Sequence, residues 1–136
     1  MKLESERKDV SKKKILIIDD HKDFREMIGS FIQRQFPDIE IEEAETGEAG
    51  VEMAKRVKPD VTLVDVRLPG INGIETARQI KEHLPESPII TMSMFKQSSL
   101  QELIDKKVII FVNKGEIDIE LMPLLNKFLN GNEIKN

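Results

Sequence analysis

Four short apolar runs, each about as long as a β-strand, recur along the 136 residues of this chain. They read ILII at 15–18, VTLV at 61–64, PIITM at 88–92 and VIIFV at 108–112. Because they are rich in β-branched residues and lack polar alternation, they are typical of strands buried on both faces of a parallel sheet. A fifth run, DIEIEEA at 38–44, alternates and indicates an edge strand with one solvated face.

Helical patterns lie between and after these runs. We predict helices at 22–36, within TGEAGVEMAKRVKP between Thr46 as N-cap and Pro59, at 73–84, at 98–105, and at 119–130 before Gly131. Pro123 should then fall within or near the first turn of the last helix. Strands and helices alternate five times, which predicts a doubly wound α/β fold: a five-stranded parallel sheet with helices on both faces.

Length and composition predict one domain over 13–131, between a flexible charged tail at 1–12 and a C-terminal tail at 132–136. The chain has no cysteine, no signal peptide and no apolar run of membrane-spanning length, so we expect a cytoplasmic protein without membrane contact. A net charge of −4 predicts no direct nucleic-acid binding. The chain also lacks a P-loop and a G-x-G-x-x-G motif, which excludes the common nucleotide-binding patterns.

Reactive side chains follow the predicted strands: Asp19 and Asp20 the first, Asp65 the third, Ser93 the fourth and Lys114 the fifth. In doubly wound sheets, ligands bind outside the carboxyl ends of the strands, so these groups should meet at one edge. Three carboxylates there would repel one another unless a cation is present, and they suit Mg²⁺. The pattern therefore indicates phosphoryl chemistry, with lysine and hydroxyl groups as further partners for phosphoryl oxygens.

With these residues in place, the chain resembles the receiver domains of bacterial two-component response regulators. The matching motifs are the acidic pair in ILIIDDHKDF, the aspartate in VTLVDVRLPGINGIE, the hydroxyl in PIITMSMF and the aromatic-x-x-lysine in FVNKG. They occur in the family's order over residues 14–130. The resemblance implies that 13–131 is a receiver domain with the flavodoxin-like strand order 2-1-3-4-5.

The resemblance also implies a role for each site residue. Asp65 would be the phosphoacceptor, with Lys114 and Ser93 as its catalytic partners. Mg²⁺ would be bound by Asp20, Asp65 and the backbone carbonyl of Arg67, with Asp19 acting through water. Ser93 and Phe111 would form the switch pair. Thr91 competes with Ser93 for the hydroxyl role, and we interpret His21 as an exposed first-turn residue.

The implied function is a signalling receiver that takes a phosphoryl group from a sensor histidine kinase or a phosphotransfer protein. It would catalyse only its own phosphorylation and dephosphorylation. Because the chain ends after the last predicted helix, we expect it to signal to another, unknown protein, unless the sequence is part of a longer protein with its own output domain. Whether phosphorylation dimerises it stays open.

Two alternatives remain at this stage. One is an aspartate-nucleophile phosphohydrolase, although such enzymes carry a second aspartate two positions after the nucleophile of the first strand, where this chain has His21 or Lys22. The other is a partner-binding module of the same fold that works without phosphate.

Overall fold

A computed structural model describes residues 12–94 and 110–134 of the chain, with side chains described up to residue 130. Within these residues, five parallel strands form one sheet in the order β2-β1-β3-β4-β5, which confirms the predicted fold and strand order. The strands are β1 (Lys14–Ile18), β2 (Glu40–Ala44), β3 (Val61–Asp65), β4 (Ile89–Ser93) and β5 (Ile110–Asn113).

Four helices accompany the sheet in the described part of the chain. They are α1 (Lys22–Gln35), α2 (Gly47–Val57), α3 (Gly73–His83) and α4 (Ile117–Ile134), and a 3₁₀ turn (Lys114–Glu116) joins β5 to α4. None of these helices is long and apolar enough to cross a membrane. The helix predicted at 98–105 lies outside the described residues.

Two apolar layers cover the two faces of the sheet. Side chains of α1 and α4, such as Ile28 and Leu125, pack with Ile15, Ile17 and Leu63 on one face. Side chains of α2 and α3 pack on the other face with the alternate strand residues, namely Leu16, Ile18, Val64 and Ile89. The central strands are therefore buried on both sides, as their continuous apolar sequences predict.

Side-chain caps set the starts of α2 and α3. The Thr46 hydroxyl accepts a hydrogen bond from the Ala49 N–H at 3.0 Å, and the Asn72 side-chain oxygen accepts one from the Glu75 N–H at 2.9 Å. Each bond satisfies an amide that has no partner within its own helix. Thr46 is thus the N-cap that the sequence predicts.

The last helix differs from its prediction at both ends. It begins at Ile117, so Pro123 lies in its second turn, and the expectation that this proline falls in or near the first turn is wrong. Proline has no N–H to donate to the carbonyl of Ile119, four positions earlier, and Ile119 is 70% exposed. The backbone at Asn130 is non-helical, and the helix then continues to Ile134, inside the segment predicted as a tail.

Candidate functional site

Two aspartates lie at the carboxyl ends of neighbouring central strands. Asp19 directly follows β1 and is fully buried, and Asp65 is the last residue of β3 and is 4% exposed. Since β1 pairs with β3, both carboxylates lie at the same edge of the sheet. A buried pair of like charges is costly unless a cation compensates it.

Lys114 supplies that compensation. Its Nζ lies 2.8 Å from Asp19 Oδ2 and 3.5 Å from Asp65 Oδ2. The same ammonium lies 4.1 Å from the centre of the Phe24 ring, on α1, which is within cation–π range. The lysine side chain is 13% exposed, so its charge acts on both carboxylates with little screening by water.

Hydrogen bonds on each side of Lys114 hold its backbone. The Asn113 side-chain oxygen accepts from the Gly115 N–H at 2.7 Å, and the Asn113 N–H donates to the Glu120 carboxylate at 2.9 Å. The first bond closes the 3₁₀ turn, and the second ties the end of β5 to the first turn of α4. Lys114 therefore projects from a turn that is fixed at both ends.

The Asp65 carboxyl group is more basic than an ordinary aspartate. Burial raises its pKa above the usual 3.8, and the neighbouring Asp19 charge raises it further. The Lys114 ammonium and a hydrogen bond from the Arg67 backbone N–H act in the opposite direction without cancelling the effect of burial. A cation placed beside this carboxylate would therefore be strongly favourable.

The acidic residues form a cluster that could hold a metal ion. Ligand atoms of Asp19, Asp20, Asp65 and His21 all lie within 4.8 Å of one another. Asp19 Oδ2 is buried and lacks a well-directed hydrogen bond among the described groups, with the Lys114 ion pair as its compensation. Three carboxylates of which one is solvent-exposed, Asp20, fit a hard divalent cation that keeps part of its water shell.

His21 also belongs to this cluster, and the sequence analysis did not predict that. Its side chain is exposed, as expected, but Nδ1 lies 3.2 Å from Oδ1 of both Asp19 and Asp20. The His21 backbone N–H also donates to Asp19 Oδ1 at 2.8 Å, which directs the residue toward the carboxylates. The sequence signal that could have indicated this role is the position of His21 directly after Asp19 and Asp20.

Arg25 is a second residue that sequence reasoning missed. It is buried, and its guanidinium donates to the Asp19 carbonyl at 2.6 Å and to the Glu43 carboxylate at 2.7 Å. Arg25 thereby connects α1 and β2 to the loop that carries Asp19. Its signal was a basic residue on the buried stripe of α1, four positions before Gly29 and seven before Ile32.

The two predicted switch residues lie on β4 and β5. Ser93 ends β4 and is buried, and Phe111 is half-buried in β5 opposite Thr91. Because side chains alternate along strands and paired residues share a face, Ser93 and Phe111 lie on the same face of the sheet. The Thr91 hydroxyl donates to the Ile110 carbonyl at 3.0 Å, so it is engaged between the strands.

The start of α3 packs directly against the end of β3. The Gly73 N–H donates to the Val66 carbonyl at 2.8 Å, and a Cβ on Gly73 would lie 2.0 Å from the Asp65 carbonyl oxygen. No side chain fits there, so glycine permits this approach. The loop between Asp65 and α3 is therefore closed tightly behind the carboxylate.

The fold and this edge define a receiver-type α/β domain, and comparison with known proteins gives its family. The family model described as the response regulator receiver domain matches residues 15–126. The chain therefore belongs to the response regulator receiver domain family.

Several relatives are similar over most of the domain. The transcriptional regulatory protein LiaR of Bacillus subtilis is 41% identical over 83 residues, which are 60% of this chain and 39% of LiaR. A LuxR-family two-component response regulator from Aurantimonas has a TM-score of 0.78 at 26% identity, over 89% of this chain and 87% of that one. The response regulator TrrA of Thermotoga maritima, solved in complex with Mg²⁺–BeF, has a TM-score of 0.75 at 27% identity, over 86% and 99% of the two chains.

These relatives overturn one expectation. The prediction of no direct nucleic-acid binding is wrong, because LiaR is by name a transcriptional regulatory protein. The chain spans about two fifths of the length of LiaR. The net charge of this chain is therefore no guide to nucleic-acid contact.

Proposed function

We propose that this chain is a phosphorylation-controlled receiver in which Asp65 accepts a phosphoryl group from the phosphohistidine of a histidine kinase or phosphotransfer protein. The observation that carries the proposal is the buried Asp65 carboxylate, beside the Lys114 ammonium and within the acidic cluster. The family of the chain supports the same function.

The transfer step moves the phosphoryl group from the donor nitrogen to the Asp65 carboxylate. An oxygen of the Asp65 carboxylate forms a bond to phosphorus while the phosphorus–nitrogen bond of the donor breaks. The donor nitrogen keeps the electron pair of that bond and takes a proton from solvent. Lys114, 3.5 Å from Asp65, then faces the transferred group and offsets the charge of its oxygens.

The carboxylates at this edge fit Mg²⁺, which when bound would supply positive charge to the phosphoryl oxygens. Asp20, Asp65 and the Arg67 carbonyl are the groups proposed to hold it directly, with Asp19 acting through water. Asp19 is already paired with Lys114. Its proposed role is to position two positive charges, the Lys114 ammonium and Mg²⁺. The Mg²⁺–BeF complex of the relative TrrA supports this choice of ion.

The new phosphate charge would be sensed by the hydroxyl of Ser93, and Phe111 would respond. Ser93 and Phe111 lie on the same face of the sheet, on the neighbouring strands β4 and β5, which supports a coupled response. A shift of one side chain would change the space available to the other. The chain is proposed to catalyse its own phosphorylation and hydrolysis only, and to relay the change to a partner surface.

The test is intact-mass analysis after incubation with Mg²⁺ and acetyl phosphate. Wild type is expected to gain the mass of one phosphoryl group, and Asp65→Asn to gain none. Asp38→Asn is the matched control, because Asp38 is an exposed aspartate at the opposite edge of the sheet, just before β2. An equal adduct on wild type and Asp65→Asn would remove Asp65 from its role. Loss of the adduct in Asp38→Asn would show that the loss is unspecific.

A further inference from the structure

His21 places a nitrogen atom among the carboxylate oxygens of the acidic cluster. Its Nδ1 lies 3.2 Å from one oxygen of Asp19 and 3.2 Å from one oxygen of Asp20. The backbone hydrogen bond from His21 to Asp19 holds the residue at the start of α1 in this orientation. Nδ1 therefore already lies where an ion shared by these carboxylates would find it.

The imidazole can also adjust to an ion without disturbing the core. The His21 side chain is 69% exposed, whereas Asp19 beside it is fully buried. A rotation of the ring changes its contact with water and leaves the apolar layers untouched. The site thus combines one rigid carboxylate with a ligand that is free to move.

Imidazole nitrogen changes which ions such a site prefers. Mg²⁺ takes oxygen ligands almost exclusively, whereas imidazole nitrogen suits Ni²⁺, Cu²⁺ and Zn²⁺. A site built only from carboxylates and carbonyls gains no such advantage from nitrogen. The identity of residue 21 therefore bears on metal selectivity.

We propose that His21 is a nitrogen ligand through which the acidic cluster binds first-row transition-metal ions in preference to Mg²⁺. The inference rests on the proposed metal site and adds to it a ligand and a class of ion. In the competing explanation, His21 only donates a hydrogen bond to the two aspartates, and the site does not distinguish ions through it.

The substitution His21→Asn separates these explanations. Asparagine retains a side-chain N–H donor near the position of Nδ1 but has no imidazole nitrogen, so hydrogen bonding can persist while nitrogen ligation is lost. The chain contains two histidines and no cysteine, so His83→Asn on α3 is the matched control. Because there is no tryptophan or tyrosine, calorimetry replaces intrinsic fluorescence as the binding measurement.

Tag-free protein is titrated with MgCl₂ and, separately, with NiCl₂. We expect His21→Asn to weaken Ni²⁺ binding about tenfold or more while the Mg²⁺ dissociation constant stays unchanged, and His83→Asn to alter neither. Pulsed electron paramagnetic resonance of bound Cu²⁺ should show coupling to an imidazole nitrogen in wild type and lose it in His21→Asn. Equal Ni²⁺ affinities of wild type and His21→Asn, parallel losses for both ions, or no nitrogen coupling in wild type would each overturn the inference.

The phosphoryl-adduct experiment keeps the two proposals apart. If His21→Asn gains the adduct with Mg²⁺ but binds Ni²⁺ as wild type does, the role of His21 is excluded and the receiver function stands. If wild type gains no adduct but loses Ni²⁺ affinity on His21→Asn substitution, the ligand role stands and the phosphoacceptor role of Asp65 fails.

Discussion

Lys114 and Asp19 form a largely buried ion pair, with 2.8 Å between Nζ and Oδ2. The lysine follows β5 and the aspartate follows β1, so the pair joins the two sides of β3 above its carboxyl end. The ammonium occupies the side of the acidic cluster that faces Phe24, while Asp20 faces solvent. A cation that interacts with Asp19, directly or through water, would therefore share this carboxylate with Lys114.

Lys114→Met should lower stability and raise metal affinity. Without the ammonium, two buried carboxylates lose their compensation, and we expect a loss on the order of 3 kcal/mol in metal-free buffer. The same loss of competition for Asp19 should tighten Mg²⁺ binding. Urea unfolding with and without Mg²⁺ measures both effects, with Lys127→Met, at an exposed lysine of α4, as the control. A stability loss that is the same at zero and saturating Mg²⁺ contradicts the prediction.

The contact between the Phe24 ring and the Lys114 ammonium should contribute to the stability of the domain. The cation–π contact predicts a coupling of about 0.5–2 kcal/mol between Phe24→Leu and Lys114→Met in a double-mutant cycle. Phe31→Leu is the matched control, because Phe31 is also a half-buried phenylalanine of α1 that packs on the same apolar layer. Coupling of similar size for both phenylalanines would mean that packing, and not the ammonium, is responsible.

The raised pKa of Asp65 predicts a specific pH dependence of stability. When a folded-state pKa lies above the unfolded one, the stabilising contribution is complete below the unfolded pKa, about 3.8, and is lost as pH rises through the folded pKa. In buffer with a chelator, Asp65→Asn should therefore be more stable than wild type at neutral pH, and the two curves should converge toward acid. Unfolding curves measured across this range test the sign. A neutral-pH stability of Asp65→Asn below that of wild type would reverse it.

Gly73→Ala should destabilise the domain because a Cβ there would meet the backbone of Asp65. Backbone atoms cannot rotate away, so we expect a loss of about 1–3 kcal/mol or more, together with slower phosphorylation of Asp65. Gly29→Ala is the control, since a Cβ on this glycine of α1 would make only an ordinary 3.7 Å contact with Ile41. That control should raise stability by up to about 1 kcal/mol through helix propensity. Thermal unfolding of both variants gives the comparison.

The sequence predicted the strands and the edge of the site because both follow from local patterns. Continuous β-branched runs mark buried parallel strands, and the polar residues that follow these runs fall at a common edge. Helix ends were less predictable. Ile117 and Leu129 extend the buried stripe of Leu121 and Leu125 at four-residue intervals, but the prediction began the helix at 119, which misplaced Pro123.

Contacts between distant segments could not be read from the chain. Phe24 and Lys114 are far apart in sequence and meet only because α1 and β5 flank the same edge. The position of the His21 ring depends on the backbone of the loop after β1, which no periodicity encodes. Sequence patterns therefore indicated which strand ends carry these side chains, but not the contacts that the side chains make with one another.

Arg25 connects the loop that carries Asp19 to the edge strand β2. One guanidinium cross-links the turn after β1 to Glu43 of β2, the outermost strand on that side. A molecule that binds at β2 and displaces Glu43 would therefore act on the Asp19 backbone through one side chain, Arg25. A displacement of β2 would reach the backbone of Asp19 through Arg25, without passing through the sheet interior.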